Sequence, residues 1–170
     1  LKSVDPDGTL SRLIPREQLI WAVINCSVSE LPDGTLEHTR GQLLTLGRPT
    51  DDPRGLDAVG EVFRSGGYDC VTSKNIRQDI WSKLLANVAF NPISALAMAE
   101  IYEVFEDPLV YDCVMAVAAE AQAVANVFGL KTELDRLERM RGARVRTSML
   151  QDLERGRPLE LGSIVEAVVE

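Results

Sequence analysis

From Asn75 onward, apolar residues recur at steps of three and four almost to the end of the chain, the spacing that lines them along one face of a helix. The pattern predicts a first helix from Ile76 to Met98, with Pro92 as an internal kink or break. A second spans Pro108 to Phe128, is rich in Ala and Val, and ends before Gly129. A third covers Thr132 to Arg141, a fourth runs from Ala143 to Glu154, and a fifth starts near Leu161 and runs off the end. Before Asn75 the texture changes. Leu19 to Val28 reads as a buried strand, Pro32-Asp33-Gly34 as a turn, and Thr35–Thr39 and Gln42–Leu46 as two short strands around Gly41. Leu56, Val59, Val62 and Phe63 predict a helix within Asp52 to Ser65, stopped by Gly66-Gly67, and Tyr68 to Val71 reads as a last short strand. The expected architecture is an α+β N-terminal part followed by an all-α C-terminal domain, with the boundary near 72–76.

One stretch of the first helix breaks its own pattern. In KLLANVAFNP, Lys83, Asn87 and Asn91 follow one another at steps of four. At 100° per residue, with Lys83 at zero, Asn87 lies at about 40°, Asn91 at about 80° and Ser94 at about 20°. Four polar groups therefore share one narrow strip of an otherwise apolar helix. A solvent-facing stripe is the ordinary explanation. A lined cleft is the other, because asparagine is a poor helix-interior residue and Ala86 and Phe90 flank the strip. Amides offer donors and acceptors to carboxylate and hydroxyl oxygens. A lysine among apolar walls would lose hydration and release a proton more readily, which suits a general acid serving a developing alkoxide.

Composition narrows the classes. The chain has 170 residues, 45% hydrophobic and 26% charged, an ordinary globular balance that needs no disulfide or metal to hold a core. Its net charge of −8 argues against a nucleic-acid surface. Cys26, Cys70 and Cys113 are far apart and odd in number, so they read as free thiols. With His38 the one histidine, neither a zinc constellation nor a histidine-assisted nucleophile is supported. No apolar run reaches the ~18 residues of a membrane span, so the expected location is cytoplasmic. The chain opens on Leu1 and closes within a helical pattern, which reads as a piece of something longer.

A second polar segment, TSMLQDLERGRPLE from Thr147 to Glu160, puts Ser148, Gln151 and Asp152 near one helix and Glu160 before the next. On residues alone, capping and surface roles explain it.

Together these segments resemble the ketopantoate reductase (2-dehydropantoate 2-reductase) family. The resemblance rests on Asn75-Ile76, Ile80-Trp81-Ser82-Lys83-Leu84, Asn87, and Asn91-Pro92-Ile93-Ser94-Ala95-Leu96. It continues through Ser148-Met149-Leu150-Gln151-Asp152 and Arg157 to Glu160, and upstream through the P-D-G-T-L-E-H turn and the Leu44 to Gly47 strand. It implies that residues 1–74 are the C-terminal part of an NADP-binding Rossmann domain, and that 75–170 form a helical substrate-binding and catalytic domain of the 6-phosphogluconate-dehydrogenase-like type. The implied activity is NADPH-dependent reduction of 2-dehydropantoate to (R)-pantoate, on the path to pantothenate and coenzyme A. By motif match, Lys83 would donate the proton, Asn87, Asn91 and Ser148 would bind substrate, and Glu160 would sit at the cofactor. The implied partner is a small 2-oxo acid, with neither nucleic acid nor membrane involved and a homodimer left open.

The departures are also specific. No G-x-G-x-x-G occurs, so the chain lacks the pyrophosphate loop of a Rossmann domain and is expected to be inactive by itself. The nearest counterpart of the family's N-G-x-G loop is Asp5-Pro6-Asp7-Gly8, with aspartate in place of asparagine. A paralogous reductase of another small 2-oxo acid and a non-catalytic helical interaction module are the competing readings. The intact set Lys83, Asn87, Asn91, Ser148 and Glu160 speaks against the module.

Overall fold

A computed structural model describes residue 4 and residues 8–50 and 52–169, so the counterpart loop at Asp5-Pro6-Asp7 lies outside the described residues. The chain divides into two compact units, one of Leu13–Ile80 and one of Leu1–Arg12 with Trp81–Glu170. In chain order the elements are α1 (Thr9–Leu13), β1 (Trp21–Glu30), β2 (Leu36–Gly47), α2 (Leu56–Ser65), β3 (Asp69–Thr72), α3 (Ile76–Ala97), α4 (Ile101–Glu106), α5 (Pro108–Val127), α6 (Asp135–Glu138), α7 (Ser148–Glu154) and α8 (Ala167–Val169).

The Leu13–Ile80 unit is a three-stranded sheet of order β1-β2-β3, with β1 antiparallel and β3 parallel to β2. The expected turn closes the hairpin: Gly34 takes a left-handed φ of 82°, and the Asp33 carboxylate accepts the Thr35 N–H at 2.9 Å. That bond holds the Asp33 pKa below its ordinary value. The two short strands expected around Gly41 are in fact one strand with a bulge. Pairing shifts register between Asn25 and Val28, and Gly41 has a φ of 76°. A Cβ at Gly41 would lie 2.3 Å from the Asn25 carbonyl oxygen, so glycine is required there. Leu44, Leu46, Leu56 and Cys70 form the small core, where α2 returns the chain from β2 to β3.

In the helical unit, α3 runs unbroken through Pro92, so the expected kink or break is not a break, and the proline withdraws one ladder N–H. Trp81, Leu84, Leu85, Val88, Ala89 and Phe90 pack there with Ile101, Val104 and Phe105 of α4 and with Val114, Ala118, Ala121 and Ala125 of α5. The sequence pattern does not predict α4. Its N-terminus is held by a reciprocal pair, the Glu100 and Glu103 carboxylates each accepting the other residue's backbone N–H. Its next N–H groups, from Ile101 and Tyr102, donate at 3.1 Å to the carbonyls of Val145 and Ala143. That use of 143–145 explains why the expected helix from Ala143 starts only at Ser148. The helix expected from Thr132 to Arg141 shrinks to Asp135–Glu138; ahead of it the Thr132 carbonyl accepts Gln122 Nε2 at 2.6 Å. The final segment opens as a π-type turn over Gly162–Glu166.

The expectation that no segment is apolar enough for a membrane needs correction. By length and composition α5 could cross one, with 20 residues of mean hydropathy 1.2. Its buried stripe at Val114, Ala118, Ala121 and Ala125, and its Asp112 and Glu120, are what a helix packed along one face of a protein core carries.

Where α5 begins, the Tyr111 hydroxyl donates to the Glu138 carboxylate, and Arg141 lies 2.8 Å from that carboxylate and 4.6 Å over the Phe105 ring. Burial, with the bond to Glu138 second, pushes the Tyr111 phenol up to about 12. The same bond holds the Glu138 pKa below its ordinary value. A phenol whose pKa is higher folded than unfolded favours the folded state fully below pH 10 and loses that contribution as pH climbs towards about 12. Absorbance titration at 295 nm should show a tyrosine ionising near the upper limit, and Tyr111→Phe should remove it. A Tyr111→Phe titration identical to the parent's would refute the assignment.

Candidate functional site

The strip on α3 is not uniform. Lys83 is exposed, Asn87 is half-buried, Asn91 is 5% exposed and Ser94 is 0% exposed. A water-facing stripe would not sink into the core along its length, so the purely solvated explanation fails at its C-terminal end. The apolar enclosure expected around Lys83 is also absent from the described residues. Position 83 lies on the side away from the core that its neighbours Leu84 and Leu85 enter, and no described residue encloses it.

Ser94 is a structural tie. Its hydroxyl donates to the Ala99 carbonyl at 2.6 Å and accepts from the Thr147 hydroxyl at 3.2 Å. Thr147 in turn caps α7, its oxygen accepting the Leu150 N–H at 3.2 Å. This chain of bonds brings the start of α7, and with it Ser148, beside the α3 strip. The sequence reading missed Thr147, although a threonine directly before Ser148-Met149-Leu150-Gln151 is a recognisable helix-start signal. It also corrects the capping role first read for Ser148. Thr147 takes the cap, and the exposed Ser148 hydroxyl has no partner among the described residues.

Thr147→Val should therefore lose both a cap and a buried hydrogen bond, at a cost of about 2 kcal/mol. Urea unfolding checks it. A loss below about 0.5 kcal/mol would mean that the Ser94–Thr147 tie does not hold α7 in place.

Asn91 differs from Ser94. Among the described residues its amide has no hydrogen-bond partner, although the residue is 5% exposed. It is not among the fully enclosed orphan atoms either, so what exposure it keeps reaches the amide. Leaving a donor and acceptor pair poised in this way is costly unless something else completes it. Asn87 presents a second amide one turn earlier, also without a protein partner among the described residues. Lys83 stands one turn before that, about 6 Å along the axis per step.

Glu160 is exposed and lies between α7 and the terminal turn. Its carbonyl accepts the Ile164 N–H at 3.1 Å and the Ser163 hydroxyl at 3.4 Å. Its carboxylate is joined to none of Lys83, Asn87, Asn91 or Ser148. The structure thus ties the start of α7, where Ser148 lies, to Ser94 of the strip and shows no bond from Glu160 to it. No described group of three or more His, Cys, Asp or Glu side chains is arranged to hold a metal ion.

Comparison with known proteins bears on what this strip belongs to. The family described as ketopantoate reductase PanE/ApbA C terminal matches residues 75–170. A 2-dehydropantoate 2-reductase of Mesorhizobium japonicum is 33% identical over 175 residues, covering 100% of this chain and 54% of the relative. One from Archaeoglobus fulgidus is 35% identical over 118 residues, 67% of this chain and 40% of the relative. The solved 2-dehydropantoate 2-reductase of Geobacter metallireducens superposes with a TM-score of 0.83 at 28% identity, covering 94% of this chain and 56% of that one. The chain thus spans about half the length of the relatives it matches. By the match over 75–170, it belongs to the ketopantoate reductase family.

Proposed function

We propose that this chain carries the substrate wall of an NADPH-dependent 2-dehydropantoate 2-reductase, acting in the cytoplasm on the route to pantothenate and coenzyme A. In this reading residues 1–74 are the later part of the nucleotide domain and 75–170 the catalytic helical domain. The observation that carries it is Asn91: a core-seated amide without a protein partner among the described residues, on one strip with Lys83 and Asn87.

Reduction of a 2-oxo acid needs a hydride at the carbonyl carbon, a proton at the carbonyl oxygen and a grip on the carboxylate. The coenzyme supplies the hydride when bound. Its pyrophosphate cradle is not among these residues, because the sequence has no glycine-rich strand-to-helix loop. Glu160 is the position here that would meet the coenzyme. The remaining work belongs to the strip. Lys83 delivers the proton to the oxygen that becomes the hydroxyl. Asn87 and Asn91 hold the hydroxyl and carboxylate through amide N–H donors, and the Ser148 hydroxyl adds a donor to the carboxylate. A polar strip of fixed spacing orients a flexible acid more firmly than one cation could.

Steady-state kinetics in the full-length protein test this reading. Asn91→Ala should raise KM for 2-dehydropantoate about tenfold or more, the worth of a hydrogen bond to a charged group, with a smaller change in kcat. A normal KM would remove Asn91 from the site. Turnover of other 2-oxo acids at equal or better kcat/KM would reassign the substrate.

A further inference from the structure

A cleft of about 640 Å³ lies wholly within the Leu13–Ile80 unit, between the segment following β2 and the segment following β3. Arg48, Pro49, Thr50, Asp52, Pro53 and Leu56 line one side, and the run from Thr72 to Arg77 lines the other. This is the carboxyl edge of two parallel strands, where the helices that follow begin and open sheets leave a crevice. The first residues of both helices, Leu56 of α2 and Ile76 of α3, face it.

The charges there run against the rest of the chain. Among the described residues, three cations, Arg48, Lys74 and Arg77, and one carboxylate, Asp52, line the cleft, in a chain of net charge −8. Asp52 is already neutralised: Arg54 lies 2.7 Å from it, and the bonds from Arg54 lower its pKa to about 2. Arg48 is spent on backbone, donating to the carbonyls of Arg54, Glu17 and Leu19. Those neutral acceptors fix its position without cancelling its charge, which faces the Asp52 carboxylate alongside Arg54. Lys74 has no partner among the described residues, and Arg77 makes only a ring contact, 5.8 Å over Trp21. Two kinds of donor add to this. The Thr50 hydroxyl is buried without a partner among the described residues, and the N–H groups of Ile76 and Arg77 at the start of α3 have no acceptor there.

We propose that this cleft binds a small phosphate-bearing anion. Lys74 and Arg77 would meet its charge, and the Thr50 hydroxyl and the first N–H groups of α3 would complete its oxygens. Donors approaching from several directions suit a tetrahedral phosphate better than a planar carboxylate, and backbone N–H groups at a helix start favour negative charge. The volume exceeds that of the bare ion and falls in the range of small-molecule sites, so an organic phosphate fits. The site rests on no assumption about the reaction assigned to the helical unit.

Amide NMR titration of this chain with inorganic phosphate and with glycerol 3-phosphate, against potassium chloride at matched ionic strength, tests it. Saturable shifts at Thr50, Ile76 and Arg77 are expected with phosphate and not with chloride, and a lower Kd for glycerol 3-phosphate would identify the organic form. Exposed Lys74→Ala should weaken binding about tenfold or more without loss of fold. Thr50→Val should weaken it too without lowering Tm, because the buried hydroxyl it removes has no structural partner among the described residues. Shifts that never saturate, or a Kd unmoved by both substitutions, would overturn the proposal.

Discussion

Phe90→Ala is expected to cost about 3–5 kcal/mol, well above the loss expected for Thr147→Val. Phe90 is 1% exposed and packs against Phe105 at a tilt of 43° with ring centroids 5.5 Å apart, so truncation removes buried area and leaves a hole between α3 and α4. The neighbours Val88, Ala89 and Val104 are themselves in the packed interior and cannot close over the gap without shifting α3. Because Asn91 follows directly, such a shift also moves the amide strip. Urea unfolding of the chain should show the midpoint fall with the slope preserved. A loss under about 1 kcal/mol would mean that this part of the interior is loosely packed.

Lys83→Ala is expected to lower kcat in the full-length protein by a factor on the order of 100 or more, the usual consequence of losing a positioned general acid. Lys83 is exposed, so the substitution should barely alter stability, and a lost rate cannot be blamed on lost fold. The effect should fall on kcat and kcat/KM together, since the proton is delivered only as the alkoxide develops. Asn91→Ala acts on KM instead, and the two variants thus separate proton transfer from binding. An unchanged kcat in Lys83→Ala would end its role as donor.

Much of this was legible in the sequence. Step-of-four spacing placed Lys83, Asn87, Asn91 and Ser94 on one strip because a continuous helix obeys one period, and α3 is continuous even through Pro92. Gly66-Gly67 and Pro32-Asp33-Gly34 marked real chain reversals through local backbone preference alone. What spacing could not show was depth. Asn91 and Ser94 share one strip and are both buried yet do different things, because Thr147, 53 residues beyond Ser94, claims the Ser94 hydroxyl and no described residue claims the Asn91 amide. Helix α4 was hidden for a related reason. Its start is satisfied by carbonyls of Ala143 and Val145, distant in sequence, and the same contact shortens the helix expected from Ala143. The bulge at Gly41 was visible only as a glycine between two apolar runs, and the pairing with Asn25 makes them one strand.

Whether the α3 strip is a substrate wall is tested most directly by a crystal structure of the full-length protein with pantoate and oxidised coenzyme. The product hydroxyl is expected within about 3.2 Å of the Lys83 ammonium, with the pantoate oxygens accepting from the Asn87 and Asn91 amides and the Ser148 hydroxyl. Pantoate bound away from α3, with the Asn91 amide still unmet, would contradict it.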